Sequence, residues 1–306
     1  EMGSSSNISP KAATFGSLKI GNTGTYKATS GTTTVSKEAD TGGTDFMFYN
    51  DGTFTHNDGK FVFDDAGLSS SSNVRCSSSF YDVEITMGSF SLTSHHNMNV
   101  ARDFTVTTGT YSDGSNGFTI TRNVSVASGA TLNLSNSSTQ TKTMGFLIVA
   151  SGGTFRACRG TTIVNGDPSG YPNFGINIDG TFNHNNGTFK YTGGGGALDL
   201  SGTGNLYNFE HAPTATTFIT NNTTIENNLT MTGANFQGAN GNEDLTVKGN
   251  VTINSSAKSL TFVGTSEHTF GFLTILNGTY KVQNDTGGFT KVGGIRNVGG
   301  TVSNAV

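Results

Sequence analysis

Hydrophobic and polar residues alternate along the chain in runs of only three to six residues, each broken by Gly, Asn, Asp or Ser. Examples are residues 17–20, 25–28, 46–49, 60–63, 80–85, 104–107, 118–121 and 131–134. Alternate side chains of an extended strand share a face, so each run predicts a short β-strand with one face toward a core. The Asn-Gly, Asp-Gly and Asn-Asp-Gly steps between runs supply the left-handed backbone positions that tight turns need. No helical segment is expected between them.

The pattern repeats on a longer scale. Phe15-Gly16-Ser17-Leu18-Lys19-Ile20 followed by Gly24-Thr25-Tyr26-Lys27-Ala28 returns as Met144-Gly145-Phe146-Leu147-Ile148-Val149 followed by Gly153-Thr154-Phe155-Arg156-Ala157. It returns again as Phe270-Gly271-Phe272-Leu273-Thr274-Ile275 with Gly278-Thr279-Tyr280-Lys281-Val282. Between these phrases, residues 51–61 match 179–189 without a gap, Phe80-Tyr81 matches Leu206-Tyr207, and residues 118–126 match 245–253. The chain therefore reads as a lead-in (1–14), a first copy (15–143), a second copy (144–269) and a partial third copy (270–306), with a period of about 127 residues.

About a dozen short strands per copy suit a solenoid whose coils of about 20 to 30 residues stack with strands roughly 4.8 Å apart. The predicted fold is all-β, a right-handed parallel β-helix (β-solenoid) forming one continuous body. The alternative is a tandem array of β-sandwich domains, one per copy. Short strand runs, the absence of Trp, and the lack of a linker-like shift in composition near 140–145 or 268–270 weigh against it.

Composition narrows the picture further. Of 306 residues, 43 are Gly and 4 are Pro, and only 33% are hydrophobic and 12% charged. Such scarcity of good helix formers speaks against a helical bundle, while 22 Phe and 8 Tyr spaced among Val, Ile and Leu speak against disorder. With 17 Lys plus Arg against 21 Asp plus Glu the net charge is −4, and no basic cluster is present to neutralise phosphates, so nucleic-acid binding is not expected. No apolar run approaches the length of a membrane span.

Phrases such as Gly52-Thr53-Phe54-Thr55-His56-Asn57-Asp58-Gly59 and Asn123-Val124-Ser125-Val126 with Gly129-Ala130-Thr131-Leu132 resemble the Gly/Thr/Asn-rich repeats of large bacterial surface adhesins and of bacteriophage virion fibre proteins. The resemblance covers nearly the whole chain and rests on repeat phrasing, with no catalytic signature. It implies an extracellular, cell-surface or virion-surface location and a non-enzymatic structural module of a fibre or filament. Self-association or assembly with other fibre or virion proteins would follow, and Glu1 and Val306 are expected to abut further protein. A glycan- or receptor-binding adhesin module is the alternative, with Tyr111, Tyr171 and Phe236 as the candidate contacts to surface glycans. A polysaccharide depolymerase is a third reading.

Residue chemistry favours structural roles. Cys76 and Cys158 occupy non-equivalent repeat positions several coils apart, beyond disulfide reach, and are expected to be unpaired and buried. His56 and His184 are repeat equivalents, which points to a corner role, and adjacent His95 and His96 point to opposite faces. Candidate acid pairs for glycoside cleavage are Asp64 with Asp65, Glu38 with Asp40, and Glu243 with Asp244; Glu84 and Glu210 are repeat equivalents. They are read as solvated or turn-capping carboxylates. No calcium-loop motif occurs, and Gly193–Gly196 lacks the Lys-Ser or Lys-Thr of a phosphate loop. No cofactor or metal is expected.

Overall fold

A computed structural model describes residues 11–39, 45–135, 140–166, 174–239, 242–262, 267–283 and 289–305. The chain is all-β, and its strands stack in parallel about 22 residues apart to form a β-solenoid of about 12 turns. Each coil in the middle of the rod contributes three short strand segments. Residues 118–120, 124–126 and 131–133 form one coil, and they pair in parallel with 142–144, 147–149 and 154–156 of the next. The first two segments belong to one bent strand, Phe118–Val126, whose register slips between Ile120 and Asn123 where the chain turns the corner.

This stacking explains why such short alternating runs suffice. A three-residue strand buries one or two side chains, but parallel pairing places each of them on its counterpart in the neighbouring coil. One inward column runs Thr33, Phe61, Val83, Phe104, Val124, Leu147, Ile176, Leu198 and Ile219. All nine are buried. It passes without interruption across the boundary between the first and second copies. On another face the inward column is Leu92, Tyr111, Leu132, Phe155 and Phe182. Burying a Val, Leu, Ile or Phe stabilises by about 1.5–3 kcal/mol, so the columns supply the apolar driving force that the sparse hydrophobic content concentrates on the axis.

Repeat-equivalent corners have equivalent structures. In the first copy Asn57 and Asp58 both adopt positive φ, and in the second Asn185 and Asn186 do the same. The preceding histidine holds each turn: His56 Nδ1 accepts from the Asp58 N–H at 3.0 Å, and His184 Nδ1 accepts from the Asn186 N–H at 2.8 Å. The rings then stack on Tyr81 and Tyr207 of the next coil, with centroids 5.5 and 5.3 Å apart. Gly52 and its equivalent Gly180 are required by close approach, because a Cβ would lie 2.3 Å from a carbonyl oxygen of the preceding coil, that of Gly21 or Gly153.

The two copies differ inside. Phe48, Phe54, Phe61, Phe63 and Phe80 form an aromatic cluster in the first, with Phe80 5.3 Å from Phe54 and 5.2 Å from Phe61. Repeat alignment puts Ile176, Phe182, Phe189, Tyr191 and Leu206 at these positions in the second. Leu206 is smaller than Phe80, and a cavity of about 120 Å³ lies here against Phe182, Leu206 and Ile178. Tyr191 is larger than Phe63, and Gly175 and Gly193 make room for it: a Cβ on either would come within 2.7 Å of its hydroxyl oxygen. The glycine run 193–196 thus borders a buried tyrosine.

Candidate functional site

Two of the residues singled out for glycan contact, Tyr111 and Phe236, have no exposed surface. Tyr111 is fully buried in an inward column, edge-on to Phe104 at 4.9 Å, and burial pushes its phenol far above the ordinary tyrosine range. Phe236 is also fully buried, stacked on His211 at 4.6 Å and paired in register with Thr217 and Leu260. Both are core residues, which corrects the expectation that they are available as contacts to surface glycans. Tyr171 lies outside the described residues.

Two tyrosines nearer the surface, Tyr49 and Tyr81, have their ring faces occupied. Tyr49 lies between Lys19 and Arg75, whose charged groups stand 5.5 and 4.9 Å from its centroid. Tyr81 is held between His56 and Arg102, the guanidinium carbon 4.9 Å from the ring centre. Each stack follows the rod axis through three successive coils. A sugar ring stacking on either tyrosine would have to displace a cation that already contributes about 0.5–1 kcal/mol there.

Of the carboxylates considered for catalysis, Glu84, Glu210, Asp64 and Asp244 are structural partners of neighbouring coils. Glu84 pairs with Lys60 at 2.9 Å, and its repeat equivalent Glu210 pairs with Lys190 at 2.6 Å. Asp82 is bidentate to Arg102, and Asp103 pairs with Arg122 at 2.6 Å and with Arg102 at 3.4 Å. Glu226 pairs with Lys248, which together with Asn205 holds its carboxyl below the usual glutamate range. Asp64 accepts from the Ala66 N–H at 2.9 Å and from the Thr86 hydroxyl at 3.1 Å. Asp244 accepts the Glu267 N–H at 2.7 Å. Neither Glu38 nor Asp65 is joined by the described contacts to a second carboxylate, Glu243 is buried, and Asp40 lies outside the described residues. Surface pairs of this kind contribute about 0–1 kcal/mol each, yet all of them except Arg102–Asp103, which are chain neighbours, link two coils and so favour one register.

Cys76 and Cys158 are unpaired and buried, and burial pushes the Cys76 thiol up to about 11. His95 Nε2 lies 3.0 Å from Asn73 Oδ1, one coil back. Among the described residues no group of three or more His, Cys, Asp or Glu is placed to hold a metal ion. The cavity beside Leu206 is also lined by Thr203, Asn205 and Asn222, but these polar groups already bind the rod: Thr203 to Thr181, Asn205 to Glu226, and Asn222 to the Asp244 N–H.

The sequence pattern does not single out three fully buried ionisable residues, His211, Lys142 and Asp113. His211 stands in an inward column between Tyr191 and Met231, and burial drives its imidazole pKa down to about 3. Lys142 stands in another, between Phe118 and Thr162, fully buried with its Nζ 2.6 Å from a carboxylate oxygen of the equally buried Asp113. The only hint in the sequence is phase: Lys142 is two residues before Met144 and His211 two after Phe209, each in step with an apolar neighbour. No family model, curated protein or solved structure matches the chain.

Proposed function

We propose that this chain is a non-enzymatic structural module of an extracellular or virion-surface fibre, giving rigid length and a surface for display. The observation that carries the proposal is the continuous inward column from Thr33 to Ile219, which crosses the copy boundary in register. Each coil presents its backbone groups to the next, so bending the rod strains a ladder of hydrogen bonds, stacked side chains and inter-coil ion pairs together. About 12 coils at roughly 4.8 Å give a segment roughly 55–60 Å long. The outward aromatics and carboxylates support the same reading, because their contacts run from coil to coil. Glycan binding is the weaker reading, since Tyr111 and Phe236 are in the core and the faces of Tyr49 and Tyr81 are occupied.

Immunogold labelling of intact source particles or cells with an antibody against this chain tests the proposal. Label arrayed on projecting fibres or filaments is the expected result. Label confined to the soluble interior would refute it.

A further inference from the structure

Lys142 and Asp113 are each without exposed side-chain surface, and the ammonium nitrogen contacts Asp113 Oδ2 at 2.6 Å. The same nitrogen donates to the backbone carbonyl of Asn116. Asp113 is fixed by the corner 113–116: the Asn116 N–H donates to the Asp113 carbonyl at 2.9 Å, and the Asn116 side-chain amide reaches the Ser94 carbonyl at 2.9 Å. The Asp113 N–H in turn donates to the Asn133 carbonyl of the adjacent coil at 3.2 Å. Lys142 begins the strand Lys142–Val149, which stacks on Phe118–Val126, the strand that this corner leads into. Tyr111, two residues before Asp113, is buried on the same side.

Moving one proton from the Lys142 ammonium to the touching Asp113 carboxylate leaves an amine and a carboxylic acid in contact. These are the two reactants of amide formation, held by the fold at contact distance, where proximity replaces a collision between separate molecules. We propose that Lys142 and Asp113 form an intramolecular isopeptide bond. The Nζ lone pair attacks Asp113 Cγ and forms the C–N bond. The Cγ–OH bond breaks, an amine proton passes to the leaving hydroxyl, and one water departs with no change of oxidation state. The Asn116 carbonyl accepts from a lysine N–H and so orients the nitrogen. The product is a covalent staple between the corner at 113–116 and the next coil, closing residues 113–142 into a ring at the end of the first copy.

The test is mass spectrometry of the full chain, intact under denaturing conditions and after trypsin. The expected intact mass is lower than the sequence mass by one water. Trypsin should fail to cut after Lys142, giving a branched peptide in which 103–122 is joined to 123–156. Asp113-Gly114 offers a competing loss of water, attack by the Gly114 nitrogen to give a cyclic imide, so the branched peptide is the decisive readout. Lys142→Arg should restore the sequence mass. An unmodified wild-type mass overturns the proposal, and so does a loss of water that persists in Lys142→Arg. Detection of the branched peptide in the wild-type chain does not depend on either variant folding.

Discussion

Replacing His211 by Ile, the residue at the equivalent position Ile85 in the first copy, should make the rod more stable in acid and change little at neutral pH. His211 is fully buried among Tyr191, Phe209, Met231 and Phe236, and burial holds its pKa at about 3. In the unfolded chain the ring protonates near its ordinary value of about 6.5. Because the folded value is the lower one, the neutral ring stabilises the fold fully above about pH 6.5, and that contribution is lost as pH falls toward 3. The slope is about 1.4 kcal/mol per pH unit, so between pH 6.5 and 5 the wild type loses about 2 kcal/mol through this residue. His268, lowered to about 4 by burial, loses stability over an overlapping window, but it titrates in both proteins and cancels in the comparison. Urea unfolding of wild type and His211→Ile at pH 7.5 and 5.0 measures the difference directly. The expectation is a change within about 1.5 kcal/mol at pH 7.5, as for a swap of similar volume. At pH 5.0 the variant should gain about 2 kcal/mol more relative to wild type. A difference between the two proteins that is independent of pH would refute the reasoning.

Phe104→Ala removes a fully buried ring that packs edge-on against Tyr111 and Phe118, and should cost about 3–5 kcal/mol in urea unfolding. Hydrogen exchange should show the loss of protection concentrated in the coils that flank residue 104. Leu206→Phe, which restores the first-copy residue at the cavity of about 120 Å³, should raise the thermal midpoint, by an amount equivalent to about 1 kcal/mol. Gly180→Ala places a methyl 2.3 Å from the Gly153 carbonyl and should destabilise by more than the 1–3 kcal/mol typical of an overpacked core, read as a fall in the urea midpoint. Cys76 and Cys158 should resist a thiol reagent in the native chain and react with it fully in denaturant.

Much of the fold is legible in the sequence because the repeat carries information that no single strand does. The run Phe118-Thr119-Ile120 is too short to distinguish a strand from chance, but its match to Leu245-Thr246-Val247 one period later makes it an element. The same equivalence identifies the corner role of His56 and His184, and their shared hydrogen bond and tyrosine stack follow it. Tyr111 and Phe236 were misread for a physical reason. Each sits in a strand whose apolar partners are above and below it, not beside it: Leu92 and Leu132 for Tyr111, Leu260 for Phe236. Coil lengths vary, so Thr33 pairs with Phe61 but Val83 with Phe104, and the column spacing cannot be counted along the chain. Lys142 and Asp113 were hidden by their charge, since the pairing that allows their burial joins residues far apart in sequence.

The most direct test of a stacked, load-carrying rod is a cryo-EM map of the native filament or particle that contains this chain. The expected map shows an elongated body with coils spaced roughly 4.8 Å along its axis, about 12 of them within this segment, in regular contact with neighbouring protein. Compact globular domains joined by linkers, or an isolated monomer with an open cleft and no assembly, would contradict it.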